Sequence, residues 1–104
     1  MFEKNTYITK GIKESLPDEL VSLLWLTLQK ETKWKKDYLQ IFEFKNIGQL
    51  NEPILEIKWR QEKPKHLEIF YVKGIILSVE KVWVICDGEE TEDEISTMLL
   101  PEEY

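Results

Sequence analysis

Cysteine, histidine and glycine are scarce in this chain of 104 residues, and their scarcity excludes several kinds of site. The single cysteine, Cys86, cannot form a disulfide within the chain, which fits a reducing cytoplasm. Together with the single histidine, His66, it supplies too few ligands for a structural zinc site, which takes about four. The four glycines are dispersed along the chain, so no glycine-rich loop is present to hold a phosphate.

Long apolar runs and a secretion signal are absent as well. No unbroken apolar run approaches the roughly 20 residues that a helix needs to span a membrane. The first residues lack the basic start and apolar stretch of a signal peptide. Hydrophobic residues make up 42% of the chain and charged residues 33%, a balance typical of a globular domain. We therefore expect one cytoplasmic domain, residues 1–104, with no membrane contact.

Negative charge is concentrated in the last part of the sequence. Residues 1–86 carry 14 Lys and Arg against 12 Asp and Glu, whereas residues 87–104 carry eight acidic residues and no basic one. The net charge of −6 therefore arises entirely from residues 87–104. Such a block repels phosphate backbones and attracts basic proteins or cations, so nucleic acid is not the expected partner. The acids at 87–94 lack the spacing of an EF-hand loop, and cation binding there stays open.

Hydrophobic periodicity predicts an α+β fold. We expect a curved, mainly antiparallel sheet of four to six strands, with one long helix at about 16–33 packed on one face. Ser15 is predicted to cap this helix, because Ser15 and Asp18 have the spacing of a capping box. Leu26 points away from the apolar side of the helix, since it lies well outside the stripe formed by Leu20, Val21, Leu24, Trp25 and Leu28.

Alternating and β-branched segments predict the strands at residues 5–12, 38–45, 54–61, 67–72 and 81–86. Asp87-Gly88 predicts a turn after the last of them. Residues 91–100 fit two alternatives. A capping box at Thr91 favours a helix, whereas a hairpin from the Asp87 turn would return Ile95–Leu100 as a strand beside Val82–Cys86, which we favour slightly.

Two predicted strands are apolar on both sides, which is more apolar surface than one helix covers. In residues 67–72, Leu67, Ile69 and Tyr71 alternate with Phe70 and Val72. In residues 81–86, Trp83 and Ile85 alternate with valines and Cys86. Either the chain covers the second side with residues 75–77 or 98–100, or a partner covers it. The second alternative predicts a protein interface, which includes that of a homodimer, with the candidate contact residues Leu26, Phe70, Trp83 and Ile85.

Groups typical of catalysis are few. Cys86 and His66 are the only pair of the cysteine–histidine type, and a cysteine within a strand is usually a packed thiol. No pair among the 20 acidic residues has a distinctive spacing. The sequence therefore identifies no catalytic residue, no cofactor and no metal ligand. An enzyme or small-molecule site between helix and sheet is the weakest of the alternatives.

A basic segment with one tryptophan provides the main alternative function. Lys33, Lys35 and Lys36 surround Trp34 near the predicted end of the helix. A base of a single-stranded nucleic acid would stack on the indole while the lysines hold the backbone. Lysines also collect at helix C-termini for electrostatic reasons, and Trp34 would then close the core. We favour this structural interpretation about four to one.

Six segments along nearly the whole chain carry a family resemblance: Tyr7–Ile12, Leu24–Trp25, Asp37–Glu43, Arg60–Glu62, Val84–Gly88 and Ser96–Tyr104. The last of them is the most distinctive. Through these segments the sequence resembles a bacterial family of about this length, the domain of unknown function numbered nine hundred and sixty. The resemblance implies a compact cytoplasmic α+β domain and supplies no activity, cofactor or catalytic residue. The two-sided apolar strands and the absence of a catalytic group lead us to expect a non-enzymatic protein-interaction domain.

Overall fold

The elements follow one another as strand β1 (Thr6–Ile8), helices α1 (Lys10–Ser15) and α2 (Asp18–Lys30), and strands β2 (Leu39–Asn46), β3 (Ile54–Glu62), β4 (Lys65–Lys73), β5 (Lys81–Asp87) and β6 (Ile95–Leu99). A short 3₁₀ helix, Pro101–Glu103, follows β6. This computed structural model describes residues 1–31, 33–89 and 91–104. Thr32 of the predicted helix and Glu90 of the acidic segment lie outside the described residues.

The six strands form one sheet in the order β1-β6-β5-β2-β3-β4. Strand β1 runs parallel to β6, and the other four neighbouring pairs are antiparallel. The prediction of an α+β fold with a mainly antiparallel sheet and one long helix is therefore confirmed. No helix in residues 1–31, 33–89 or 91–104 is long and apolar enough to cross a membrane.

Helix α2 packs against one side of the sheet, named the helix face; the opposite side is named the open face. The helix buries Leu20, Val21, Leu24 and Leu28, which recur at the helical spacing that the sequence shows. They join a core with alternate residues of the strands, among them Phe42, Phe44, Leu55, Ile57, Trp59, Val82, Val84 and Met98. Each fully buried side chain of this kind contributes about 1.5–3 kcal/mol, so this layer stabilises the fold.

The predicted start of the long helix is wrong. Residues 10–15, expected to end a strand and cap the helix, form the separate helix α1, which begins where the Thr9 hydroxyl accepts a hydrogen bond from the Ile12 N–H at 3.3 Å. Pro17 disfavours helical geometry at the preceding residue, so Leu16 is extended and divides α1 from α2. Pro17, and not Ser15, precedes α2, and the Ser15 capping box is not formed.

Two further boundaries differ from prediction. Helix α2 ends at Lys30, since Glu31 is extended, so the helix is shorter than the predicted 16–33. The first strand, predicted over residues 5–12, is reduced to β1 by the formation of α1. For residues 91–100 the strand alternative is confirmed, because β6 pairs antiparallel with β5. Gly88 lies in the turn between them with a φ of 70°, a conformation that glycine adopts readily.

Candidate interaction surface

The open face carries a row of paired residues that crosses five strands. The row consists of Leu99 on β6, Trp83 on β5, Ile41 on β2, Arg60 on β3 and Leu67 on β4. Because side chains alternate along a strand, these residues lie opposite the buried side chains that meet α2. Neither helix packs its buried residues on this side, since those of both α1 and α2 belong to the core of the helix face.

A belt of charged residues divides the open face into two apolar parts. The Glu43 carboxylate accepts a hydrogen bond from Arg60 at 2.9 Å and lies 3.6 Å from the Lys81 ammonium group. Partial burial alone would raise the pKa of Glu43, but the hydrogen bond and charge of Arg60, with the charge of Lys81, hold it below its ordinary value. The two basic groups therefore both pair with the Glu43 carboxylate, and apolar surface lies on either side of these three residues.

The first apolar part, around Trp83 and Ile85, is partly covered by the last residues of the chain. The ring of Tyr104 meets Trp83 edge-on, with 5.8 Å between the ring centroids. Residues 75–77 and 98–100, which were predicted to cover the second side of the sheet, do not form this cover. Leu77, Met98 and Leu100 instead belong to the core of the helix face. Leu99 alone of that second run faces the open side, beside Trp83.

Glu103 anchors residues 101–104, which are named the C-terminal cover. Its carboxylate accepts hydrogen bonds from the Thr9 hydroxyl at 2.6 Å, the Leu100 N–H at 2.8 Å and the Gly11 N–H at 3.1 Å. A Cβ atom at Gly11 would lie 2.7 Å from the carboxylate, so glycine permits this close approach. The hydrogen bond from Thr9, followed by that from Leu100, holds the pKa of Glu103 below its ordinary value.

Acid is expected to release the C-terminal cover. Because the pKa of Glu103 is depressed in the folded protein, the anchor is complete above the ordinary glutamate pKa of about 4.3. It is lost as the pH falls through the lower value of the folded protein. In an NMR titration from about pH 7 to about pH 3, the Tyr104 ring and the Trp83 indole should change chemical shift together.

Two variants control this titration. The substitution Glu103→Ala should give the released chemical shifts already at neutral pH. The substitution Glu102→Gln changes a neighbouring exposed glutamate and should leave the titration midpoint where it is in the parent protein. A midpoint at or above the ordinary glutamate pKa would contradict the anchoring role.

The second apolar part of the open face lies on β4 and is exposed. Leu67, Ile69 and Tyr71 are 55%, 46% and 58% exposed. Strand β4 stands at the end of the sheet and pairs along its full nine residues with β3. The opposite edge strand, β1, is only three residues long. Within the part of the chain that the structure describes, β4 is therefore the long open edge of the sheet.

A buried glutamine network holds the turn that leads into β4. The Gln61 amide donates hydrogen bonds to the carbonyl oxygens of Lys35 at 2.9 Å and Pro64 at 2.7 Å. Its carbonyl oxygen accepts from the Asp37 N–H at 2.9 Å and from the Gln40 amide at 2.8 Å. Gln40 accepts from the Trp59 indole at 2.6 Å, which extends the network into the core. The start of β4 is thereby fixed to the connection between α2 and β2.

The four predicted interface residues do not share one surface. Trp83 and Ile85 both lie on the open face and are half-buried. Phe70 points to the helix face, where it packs against the core. Leu26 is 45% exposed on the outer side of α2, away from the sheet. Leu67, Ile69 and Tyr71 were not among the predicted interface residues, although their alternation with Phe70 was the signal that would have identified them.

The basic segment proposed for nucleic-acid contact packs against the protein through its tryptophan. The Trp34 ring lies 3.9 Å from the His66 ring and 5.1 Å from that of Trp59, measured between centroids. The Lys36 ammonium group donates to the Glu31 carbonyl, and burial lowers the pKa of Lys36 despite the nearby Glu31 and Glu3. Lys33 and Lys35 are exposed. Since the His66 ring packs against the Trp34 ring at an interplanar angle of 31°, this geometry favours a structural role for Trp34.

The structure does not bring Cys86 and His66 together. They lie on β5 and β4, which are separated by β2 and β3. At the usual strand spacing, the two strands are about 14 Å apart. Burial raises the pKa of the Cys86 thiol, which disfavours the reactive thiolate. Among the described residues, no group of three or more His, Cys, Asp or Glu is placed to hold a metal ion.

Comparisons with known proteins agree with this fold. The model of the family described as staphylococcal protein of unknown function, DUF960, matches residues 5–103. A crystal structure of a protein of unknown function from Enterococcus faecalis is similar, with a TM-score of 0.78 and 19% sequence identity over 99% of this chain and 94% of that one. At that identity the likeness concerns the fold alone. No curated protein matches the chain.

Proposed function

Since the chain belongs to DUF960, a family of staphylococcal proteins of unknown function, we propose a function from the surface of the molecule itself. The domain is a non-enzymatic protein-interaction module, and a protein partner binds the open face beside β4. The observation that carries this proposal is the row of exposed apolar side chains at Leu67, Ile69 and Tyr71 on the sheet face that neither α1 nor α2 covers.

Two further features support a protein as the occupant. The surface combines exposed aliphatic and aromatic side chains with a belt of charged residues beside them, the mixture of apolar and polar groups that protein interfaces have. Tyr104 packs edge-on against Trp83 and is 76% exposed, so it adds an accessible aromatic side chain to the surface. The C-terminal Tyr104 would then be a contact residue at the rim of the interface.

Photo-cross-linking at two positions tests this function. Benzoylphenylalanine in place of Tyr71 reports on the open face, and the same probe in place of Leu26 reports on the outer side of α2. We expect the Tyr71 probe, and not the Leu26 probe, to give a discrete adduct when the protein is irradiated in a lysate of its own organism. The adduct should be lost in Ile69→Lys, whose exposed side chain permits the change at a cost within about 0.5 kcal/mol.

The mass of the adduct identifies the partner. An adduct of twice the chain mass would make a second copy the partner and the domain a homodimer. A larger or smaller adduct would establish a different protein. Adducts from the Leu26 probe alone, or from neither probe, would overturn the assignment of the open face as the contact surface.

A further inference from the structure

Strand β4 has a row of backbone hydrogen-bonding groups without partners in the described part of the chain. On one side of β3, the Ile47 N–H donates to the Ile54 carbonyl at 2.9 Å. On the other side, the Gly74 N–H donates to the Pro53 carbonyl at 2.8 Å. Hydrogen-bonded positions alternate along an antiparallel ladder, so the even-numbered residues of β4 bond to β3. The backbone N–H and C=O groups of its odd-numbered residues therefore point outward from the edge.

The same odd-numbered residues also present their side chains on the open face. Leu67, Ile69 and Tyr71 thus offer an outward N–H, an outward C=O and an exposed apolar side chain at every second position. This combination is what an added strand requires, because backbone groups supply the affinity and alternate side chains supply the specificity. Long edge strands are commonly protected by bulges or by proline, and the β3–β4 register is continuous over nine pairs.

Lysines mark both ends of the apolar row. Lys65 and Lys73 lie eight residues apart on the open face, or about 27 Å along the strand. No ion pair involves either lysine in the described part of the chain. The nearest glutamates on this face, Glu56 and Glu62, lie on β3 and therefore one strand further from an added partner. A partner strand at the edge would meet the two lysines first.

The charges of Lys65 and Lys73 distinguish between two kinds of partner strand. Two copies of β4 that pair antiparallel about Ile69 would place Lys65 of each copy opposite Lys73 of the other, and directly opposed like charges destabilise strand pairing. Acidic residues at the two ends of a partner strand would instead form opposite-charge pairs. The charges therefore favour a partner with acidic ends over a second copy of this chain.

From these observations we infer that β4 binds an extended peptide segment by strand addition. The segment carries apolar residues at three alternate positions and an acidic residue at each end, nine residues in all. This inference rests on the proposed function, because it names the chemistry of the partner that the open face contacts.

Amide hydrogen exchange on the full chain tests the inference with a designed probe. The probe is a capped nine-residue peptide with glutamate at both ends, valine at the third, fifth and seventh positions, and threonine elsewhere. Without peptide, the amides of Leu67, Ile69 and Tyr71 should exchange fast, whereas those of Glu68 and Phe70 should already be protected. Saturating peptide should slow the three odd-numbered amides at least about tenfold and leave the two even-numbered ones protected.

Two altered peptides and one protein variant test separately the end charges and the backbone hydrogen bonds. A peptide with lysine at both ends should bind about tenfold more weakly at low salt. A peptide N-methylated at its three valines should not bind, because those amides face β4. The variant Ile69→Pro should stay folded, since the N–H that it removes points outward, and should lose peptide binding. If that variant unfolds, the N-methylated peptide provides the same test on the parent protein.

The outcomes separate this inference from the proposed function. Unchanged exchange of the odd-numbered amides at millimolar peptide, or equal binding of the two end-charge versions, would overturn the acidic-strand partner. Protection of the odd-numbered amides that rises with protein concentration alone would replace it by a second copy. If the Tyr71 probe still yields an adduct in any of these cases, the open face remains an interface and only the mode of binding is wrong.

Discussion

The substitution Gln61→Leu is expected to lower the free energy of unfolding by about 3–4 kcal/mol, the largest effect that we predict. Gln61 is 2% exposed and makes four hydrogen bonds through one amide group. Leucine would fill a similar space but would leave the Asp37 and Gln40 donors and the Lys35 and Pro64 carbonyls without this partner. Each such buried group costs about 1–3 kcal/mol, reduced where water can reach it.

Urea denaturation followed by tryptophan fluorescence measures this loss, provided that the slope with urea is the same for both proteins. The substitution Gln49→Leu is a matched control, because Gln49 is an exposed glutamine in the turn before β3. It should change the free energy of unfolding by less than about 0.5 kcal/mol. A loss below about 1 kcal/mol for Gln61→Leu would show that the network does not stabilise the start of β4.

The substitution Trp34→Ala is expected to lower the free energy of unfolding by about 2–3 kcal/mol. The indole is half-buried and contacts both Trp59 and His66, so its removal opens a gap over the core. Tryptophan truncations in full cores cost about 3–5 kcal/mol, and partial exposure reduces the effect. The same denaturation experiment provides the measurement.

The neighbouring lysines supply the control for Trp34. Lys33→Ala and Lys35→Ala remove exposed charges and should each change stability by less than about 0.5 kcal/mol. We also expect a single-stranded oligonucleotide to leave tryptophan fluorescence unchanged at low salt, because the His66 ring already contacts the Trp34 ring. An unchanged stability in Trp34→Ala together with salt-sensitive quenching would favour the nucleic-acid alternative instead.

Most strands were predictable because their signal is local. The alternation in residues 54–61 places Leu55, Ile57 and Trp59 on one side, and the structure buries all three. The helix start was not predictable in the same way. Ser15 and Asp18 have the right spacing for a cap, but Pro17 and the Thr9 hydroxyl divide the segment into two helices. Competing caps of similar strength cannot be ranked from spacing alone.

The candidate site was predicted only in part, for a related reason. Residues 67–72 and 81–86 have the same two-sided apolar pattern, which predicts that both are strands covered on both sides. In the structure, β5 is central, with Trp83 and Ile85 half-buried, whereas β4 is an edge strand with Ile69 exposed. Periodicity reports which side chains share a face and says nothing of which strand is the neighbour.

The amino-acid sequence by itself determined the α+β class, the buried side of α2 and which residues of each strand share a side, because these follow from backbone geometry over a few residues. Only the tertiary structure decided the strand order and, with it, the open edge at β4. It also decided that Tyr104 covers Trp83 and that Phe70 packs on the helix face, opposite to Ile69. Those features depend on hydrogen bonds and contacts between residues far apart in the chain, such as Glu103 with Thr9, which no local pattern encodes.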